Sequence, residues 1–211
     1  MESSDNDELC LSAETAAALQ EFLLEKAEKQ KQTDDVEENW QFSQFWYTDN
    51  TADILSNECI RALPEGGSIA CLSCPTIFDR LLQKEAIKTQ LIKAKLFEFD
   101  RRFEGKYPDY FEFYDFWKPK DIRPELRNTF DFIVADPPSL NEDTLVRYVQ
   151  AIRLLNRSQE TVKILICTGA ILADLVKRLL GCHECKFQPE HRSKLGNEFR
   201  CYVNYDAKGL Q

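Results

Sequence analysis

Histidine is scarce in this chain of 211 residues: only His183 and His191 occur, so chemistry that needs an imidazole base has two candidates. His191, within PEHRSKLGN, has the setting of an ordinary loop histidine. No apolar run approaches the roughly 18 residues of a membrane span, so no transmembrane helix is expected. A GxxxxGK sequence ending in Ser or Thr is missing, as are GxSxG and HExxH, and with them the residues of P-loop, nucleophile-elbow and zincin chemistry. The opening MESSDNDELC is acidic and polar, unlike a secretory or transit leader, and predicts a soluble intracellular protein. Repeats and low-complexity tracts are also absent.

Cysteine, by contrast, occurs eight times. In a reducing compartment these are thiols, not a disulfide framework. Two CxxC spacings exist, Cys71–Cys74 and Cys182–Cys185, but they stand far beyond the interval of roughly 15–20 residues that brings two pairs onto one zinc. Cys71 also lies in an apolar run, where cysteine serves as a small buried hydrophobe. No metal is expected.

Acidic residues exceed basic ones by nine, and the excess is local. Residues 1–38 hold 12 acidic and 3 basic side chains, which leaves 24 of each in residues 39–211. The body therefore lacks the overall positive field of a DNA-tracking domain, which disfavours nucleic acid as a partner without removing a local basic rim. Hydrophobic residues make up 43% of the chain, enough to bury a real core.

Along the chain, residues 1–11 read as a disordered acidic tail. Ser12 can cap a helix reaching Gln32, with Leu19, Phe22 and Leu23 on one stripe. The segment ENWQFSQFWYTDN carries five aromatics, and a helix over Thr51–Ala62 follows, so residues 12–62 form a helical and aromatic lid segment. LPEGG then breaks the chain, and residues 63–211 form the main domain. There strands are predicted at 68–73, 95–100, 111–116, 130–136 and 162–168, with helices at 77–93, from Asn141 or Asp143 to 155, and at 170–180. Two closing strands, near 185–189 and 198–206, follow with no helix between them. Alternating strands and helices indicate an α/β fold with a mostly parallel sheet covered on both faces. The hairpin-like ending matches the seven-stranded, Rossmann-like class I methyltransferase architecture, with an antiparallel final strand.

Ligands of open α/β sheets bind beyond the carboxyl ends of the strands. Those ends carry Cys74-Pro75-Thr76, Asp100, Asp115 and Asp136-Pro137-Pro138-Ser139. Asp100 sits where a carboxylate can accept both hydrogens of a ribose diol, and the strand-end position favours that role over a solvated loop acid paired with Arg101 or Arg102. Asp115 can accept from an adenine amino group or cap a turn. The CLSCPT sequence after the first strand has no GxG, which argues against a dinucleotide enzyme. Asp136-Pro137-Pro138 makes a stiff loop with no proline N–H, a surface of acceptors only. Such a surface can hold an amine by its N–H groups and aim its lone pair at an electrophile.

This loop resembles the Asp/Asn-Pro-Pro-Tyr/Phe signature of amino-directed, S-adenosylmethionine-dependent methyltransferases. ENWQFSQFWY (38–47), ADPP (135–138), CTGA (167–170) and NEFRCYVNYD (197–206) together resemble the eukaryotic elongation factor 1-alpha lysine methyltransferase family, whose members were once labelled adenine-specific DNA methyltransferases. The resemblance implies a class I methyltransferase fold, S-adenosylmethionine as cofactor and a lysine of translation elongation factor 1-alpha as acceptor. It also implies cytoplasmic location, and a monomer is expected. Carried onto this chain, Asp136, Pro137, Pro138 and Ser139 form the amine-orienting loop. Phe99 and Asp100 border the ribose, Asp115 the adenine, and Cys74, Pro75 and Thr76 the methionine end. Phe45, Trp46 and Tyr47 close over the channel, or simply pack as a lid.

Ser139 departs from the aromatic of the signature, which would wall the amine channel and contribute on the order of 1–2 kcal/mol through cation–π contact. Another aromatic such as Trp46 takes over, or turnover is reduced. Two alternatives stay open at this point. One is adenine-N6 methylation of nucleic acid; the other is a weakened methyltransferase fold kept as a binding module.

Overall fold

The computed structural model describes residues 36–211, and the elements below all lie in the unit Glu38–Gln211. The predicted tail (1–11) and the helix from Ser12 to Gln32 lie outside the described residues. Residues 38–62 fall in the same unit as the sheet.

The sheet begins at a pair of glycines. Gly66 and Gly67 have φ of +87° and +144°, and a Cβ on Gly66 would come within 2.5 Å of the Leu91 carbonyl oxygen. Only glycine lets the chain turn that tightly against the next strand. Strand β1 (Gly67–Leu72) then runs parallel to β2 (Ile92–Glu98), from Gly67 opposite Ile92 to Leu72 opposite Phe97. On its other side β1 pairs in parallel with β4 (Phe132–Ala135). With β3 (Phe111–Phe113), β5 (Lys163–Gly169), β6 (His183–Glu184) and β7 (Phe199–Val203), the order across the sheet is β3-β2-β1-β4-β5-β7-β6. Strand β7 is antiparallel to both its neighbours. The chain thus lays strands outward on one side of β1 and then returns to its other side. That reversal opens a crevice beyond the ends of β1 and β4.

Strand side chains alternate between faces. Ala70, Leu72, Ile133, Ala135, Ile164 and Ile166 share a core with Leu145, Tyr148 and Ile152 of α5 (Glu142–Leu155) and Val176 of α6 (Ala173–Leu180). The alternate residues Ile69, Cys71, Phe132, Val134 and Cys167 are equally buried. On that face α1 (Asp49–Arg61) sets Cys59 beside Cys71 and Cys167, and α2 (Pro75–Leu82) buries Ile77, Phe78 and Leu81. Helical cover on both faces is why β4 and β5 are apolar at nearly every position. The starts of α1 and α5 are set by side-chain caps: Thr48 accepts from the Thr51 N–H at 3.2 Å and Asn141 from the Thr144 N–H at 2.8 Å.

Several boundaries differ from expectation. The helix predicted over 77–93 divides into α2 and α3 (Glu85–Lys88), and Gln90 takes a left-handed φ of 59°. Strand β2 starts at Ile92, earlier than expected, because the glycine turn pairs there. Strand β3 stops at Phe113; the Tyr114 N–H still donates to the Glu98 carbonyl before the chain turns away. A short α4 (Arg102–Lys106) replaces part of the expected loop. The strand expected near 185–189 is displaced to β6: the Cys185 N–H still donates to Cys201, but the Phe187 N–H donates to Leu210 and draws the segment off the sheet.

Among the described residues, no helix is long and apolar enough to cross a membrane. Nor does any group of three or more His, Cys, Asp or Glu there have an arrangement that could hold a metal ion.

Candidate active site

Two strand-end loops meet at the crevice. After β1, Ser73 adopts a left-handed φ of 53° without being glycine, and Tyr148 of α5 secures it by donating to Ser73 Oγ at 2.6 Å. Cys74 is buried with its thiol toward the Val134 carbonyl (3.7 Å), and Pro75 opens α2, where a missing N–H costs nothing. After β4, the Asp136 N–H donates to the Leu72 carbonyl at 3.0 Å, tying the two loops together. Neither Pro137 nor Pro138 has an N–H, and no backbone bond among the described residues ends on their carbonyls. Ser139 Oγ accepts from Asn141 Nδ2 at 2.7 Å, so this serine belongs to the cap of α5.

Beyond these loops lies a cavity of about 580 Å³, inside the roughly 300–1,000 Å³ range of small-molecule and cofactor sites. Its wall includes Cys74, Pro75, Thr76, Phe99 and Asp115, together with Asp136, Pro137, Pro138 and Ser139. Phe45 and Trp46 line it from the N-terminal segment. Two residues singled out in the sequence, Asp100 and Tyr47, are not on the wall.

Asp100 lies off the wall because it is already paired. Its carboxylate is only 4% exposed and is gripped by Arg102, whose Nη2 and Nε lie 2.6 and 2.9 Å from Oδ2, while Gln44 Nε2 donates to the same oxygen at 3.0 Å. Burial pushes its pKa up, but the Arg102 and Gln44 hydrogen bonds outweigh burial and leave it below the ordinary carboxylate value. The arginine two residues on has closed back over the acid and taken its acceptor oxygens.

The acid on the cavity wall is Glu98, the last residue of β2. Sequence reasoning passed over it, although a glutamate inside an otherwise apolar strand was a readable signal. Its Oε1 accepts the N–H groups of Phe99 (2.9 Å) and Asp100 (3.1 Å), neither of which goes to Oε2. Burial pushes Glu98 up to about 7 against the pull of those two N–H groups. Asp136 is also pushed up to about 7, first by burial and further by the Glu98 charge, with the Tyr47 hydroxyl pulling the other way. One cavity thus holds two carboxyl groups poised near neutrality.

The remaining wall is largely aromatic: Phe42, Tyr114, Phe116, Trp117 and Phe199 line it together with His191. Arg147 lies over the Trp117 ring at 4.5 Å. Asp115 Oδ1 accepts the Trp117 N–H at 2.9 Å, so the acid caps its own turn while also facing the cavity. Burial lowers His191 to about 4, which leaves it a neutral imidazole at pH 7.

Comparison with known proteins gives the site its context. A protein family described as "Probable N6-adenine methyltransferase" matches residues 38–207. EEF1A lysine methyltransferase 1 of Mus musculus is 44% identical over 98% of this chain and 96% of its own length. The Homo sapiens protein of the same name is 41% identical, with 96% and 95% covered. The chain belongs to the EEF1A lysine methyltransferase family. Its sheet order and reversed β7 are those of class I methyltransferases. A solved type I restriction-modification methyltransferase subunit from Streptococcus thermophilus has the same fold, with a TM-score of 0.52 at 8% identity over 75% of this chain and 44% of that one. Three of the four sequence blocks that carry the resemblance, 38–47, 135–138 and 197–206, contribute residues to the cavity wall of this chain.

Proposed function

We propose that this chain is an S-adenosylmethionine-dependent protein-lysine N-methyltransferase whose acceptor is a lysine of translation elongation factor 1-alpha, working in the cytoplasm as a monomer. The observation that carries this reading is the Asp136-Pro137-Pro138 loop. It lies at the switch point of the sheet, offers only acceptors, and faces the same cavity as Glu98.

The residues present fit the cofactor. Glu98 lines the cavity and keeps Oε2 clear of the Phe99 and Asp100 N–H groups, so in this reading it, not Asp100, accepts from the ribose diol, with Phe99 beside it. Asp115 and the flat faces of Phe116 and Trp117 suit an adenine. The Tyr114 hydroxyl is buried without a protein partner, as expected of a group that meets a ligand. Cys74, Pro75 and Thr76 would border the methionine end. When bound, the cofactor supplies a methyl group on a cationic sulfonium.

The chain's own contribution is positioning. The carbonyls of Pro137 and Pro138 and the Asp136 carboxylate accept N–H bonds from the acceptor amine and hold its lone pair in line. Phe45, Trp46 and Phe199 exclude water and supply the aromatic wall that Ser139 lacks. The acceptor must lose a proton before it can attack. Asp136, poised near neutrality, can accept that proton, whereas His191, at about 4, is too weak a base.

The test is incubation with methyl-labelled S-adenosylmethionine and either purified elongation factor 1-alpha or nucleic acid. Label on the elongation factor, lost in Asp136→Ala while nucleoside binding persists, is expected. Label confined to nucleic acid, or binding with no transfer to either acceptor, would overturn the reading.

A further inference from the structure

One phenol in the N-terminal aromatic run stands apart from the cavity wall. Tyr47 is 1% exposed, and its buried hydroxyl makes no full hydrogen bond. An unsatisfied buried hydroxyl costs about 1–3 kcal/mol, so its presence calls for a reason.

The ring is held on several sides. It packs against the His191 ring at 4.6 Å, and the two residues form an antiparallel backbone bridge. His191 packs in turn on Phe199, also at 4.6 Å. On either side of Tyr47, the Thr48 N–H donates to Glu190 at 2.9 Å and the Arg192 N–H to Trp46 at 2.7 Å. Glu38 clasps both strands of this strap, accepting from the Trp46 N–H at 2.7 Å and the Ser193 hydroxyl at 3.0 Å.

So restrained, the phenol has the Asp136 carboxyl as its first charged neighbour. The two groups are electrostatic neighbours, and the hydroxyl pulls against burial on the Asp136 carboxyl. The other titratable groups around Asp136 are poor donors to it. Glu98 of β2 repels it, Cys74 at the head of α2 and Cys201 of β7 are buried thiols, and the Tyr148 hydroxyl of α5 is already given to Ser73. His191 is occupied as a ring support behind Tyr47.

We infer that Tyr47 is a positioning residue for the amine-orienting loop: its hydroxyl donates to the ionised Asp136 carboxylate and keeps it turned toward the acceptor. The aromatic segment and the loop between β6 and β7 then do more than enclose the cavity. Only when they are docked is the phenol in place, so closure of that wall and readiness of the acid are one event. This inference rests on the lysine methyltransferase reading for its purpose, but not for its test.

The test is the titration of Asp136 in the unliganded protein, followed by carboxyl-carbon NMR with Asp136→Asn to assign the signal. Tyr47→Phe keeps the ring against His191 and removes only the donor. It should raise the Asp136 midpoint by about one pH unit, the equivalent of one ordinary hydrogen bond. The acid limb of the methyl-transfer rate should move upward with it, kcat falling at pH 7 while KM for the cofactor holds. Should Tyr47→Phe fold poorly, a fluorinated tyrosine installed at position 47 keeps the packing and strengthens the donor, and the midpoint should fall instead. A midpoint unmoved by either change overturns the inference and leaves the methyltransferase reading intact. Absence of methyl transfer in the unaltered chain overturns that reading, while the titration still decides the role of Tyr47.

Discussion

Glu98→Gln should make the unliganded protein more stable and useless. Folding moves this carboxyl from its ordinary 4.5 up to about 7. Between those values the folded chain keeps a proton that the unfolded chain has lost, so stability falls as pH rises from about 4.5 through about 7 and stays low above it. The gap corresponds to about 3 kcal/mol at full ionisation. Glutamine keeps the Oε1 acceptor for the Phe99 and Asp100 N–H groups but carries no charge to bury. Urea or thermal unfolding of both proteins from pH 5 to pH 9 is the assay. The variant should lead by only about 1 kcal/mol at pH 5 and by about 3 kcal/mol at pH 9, the latter about 6–12 °C in Tm for a domain of this size.

Asp136 contributes a slope of the same sign to both proteins, weaker in the variant because the Glu98 charge that helps push Asp136 up is gone, which adds to the variant's lead at high pH. In parallel, calorimetry with S-adenosylhomocysteine should show binding lost, because a glutamine that keeps Oε1 on the Phe99 and Asp100 N–H groups offers the ribose diol an Nε2 donor where an acceptor is needed. A stability difference that does not grow between pH 5 and pH 9 would refute the burial argument. Unchanged binding would refute the ribose assignment. Together the two outcomes describe an acid retained at a cost to stability because a ligand uses it.

Two further changes probe the frame around the site. Glu58 in α1 is 1% exposed and accepts from Arg61 Nη1 at 2.7 Å and from the Gly209 N–H at 3.0 Å, so Glu58→Ala should cost about 1–3 kcal/mol in denaturant unfolding, and Glu58→Gln less. Equal losses for the two would show that the acceptor oxygen is not what matters. Tyr148→Phe removes the bond that secures the left-handed Ser73, and should weaken S-adenosylhomocysteine binding about fivefold by calorimetry, about 1 kcal/mol. Unchanged affinity would separate that bond from the shape of the pocket.

The N-terminal segment and the β6–β7 loop show how a long-range strap can define a site. Glu38, Trp46, Tyr47 and Thr48 are bonded to residues 190–193, more than 140 positions away. No periodicity in either stretch announces that pairing. The five aromatics marked the segment as important, and the structure divides their work: Phe45 and Trp46 face the cavity, and Tyr47 stands behind it.

What the chain determined by itself was whatever depends on near neighbours. Runs such as FDFIVAD and VKILICT are apolar at almost every position because both faces of the sheet are covered, and that property is visible without coordinates. The stiffness of Asp136-Pro137-Pro138 is equally local, since each proline restrains φ and removes a donor wherever it stands. Caps such as Asn141 are written in the residue itself. Which acid lines the cavity was decided only by tertiary structure. Glu98 and Asp100 are two residues apart with the same chemistry, and a strand-end rule alone pointed to the one that lies off the wall. The choice was made when Arg102 folded back onto Asp100 and when β2 ended at Glu98, leaving one carboxyl paired and the other beside the cavity. Electrostatic pairing depends on distances of a few ångströms between groups whose separation along the chain carries no such information.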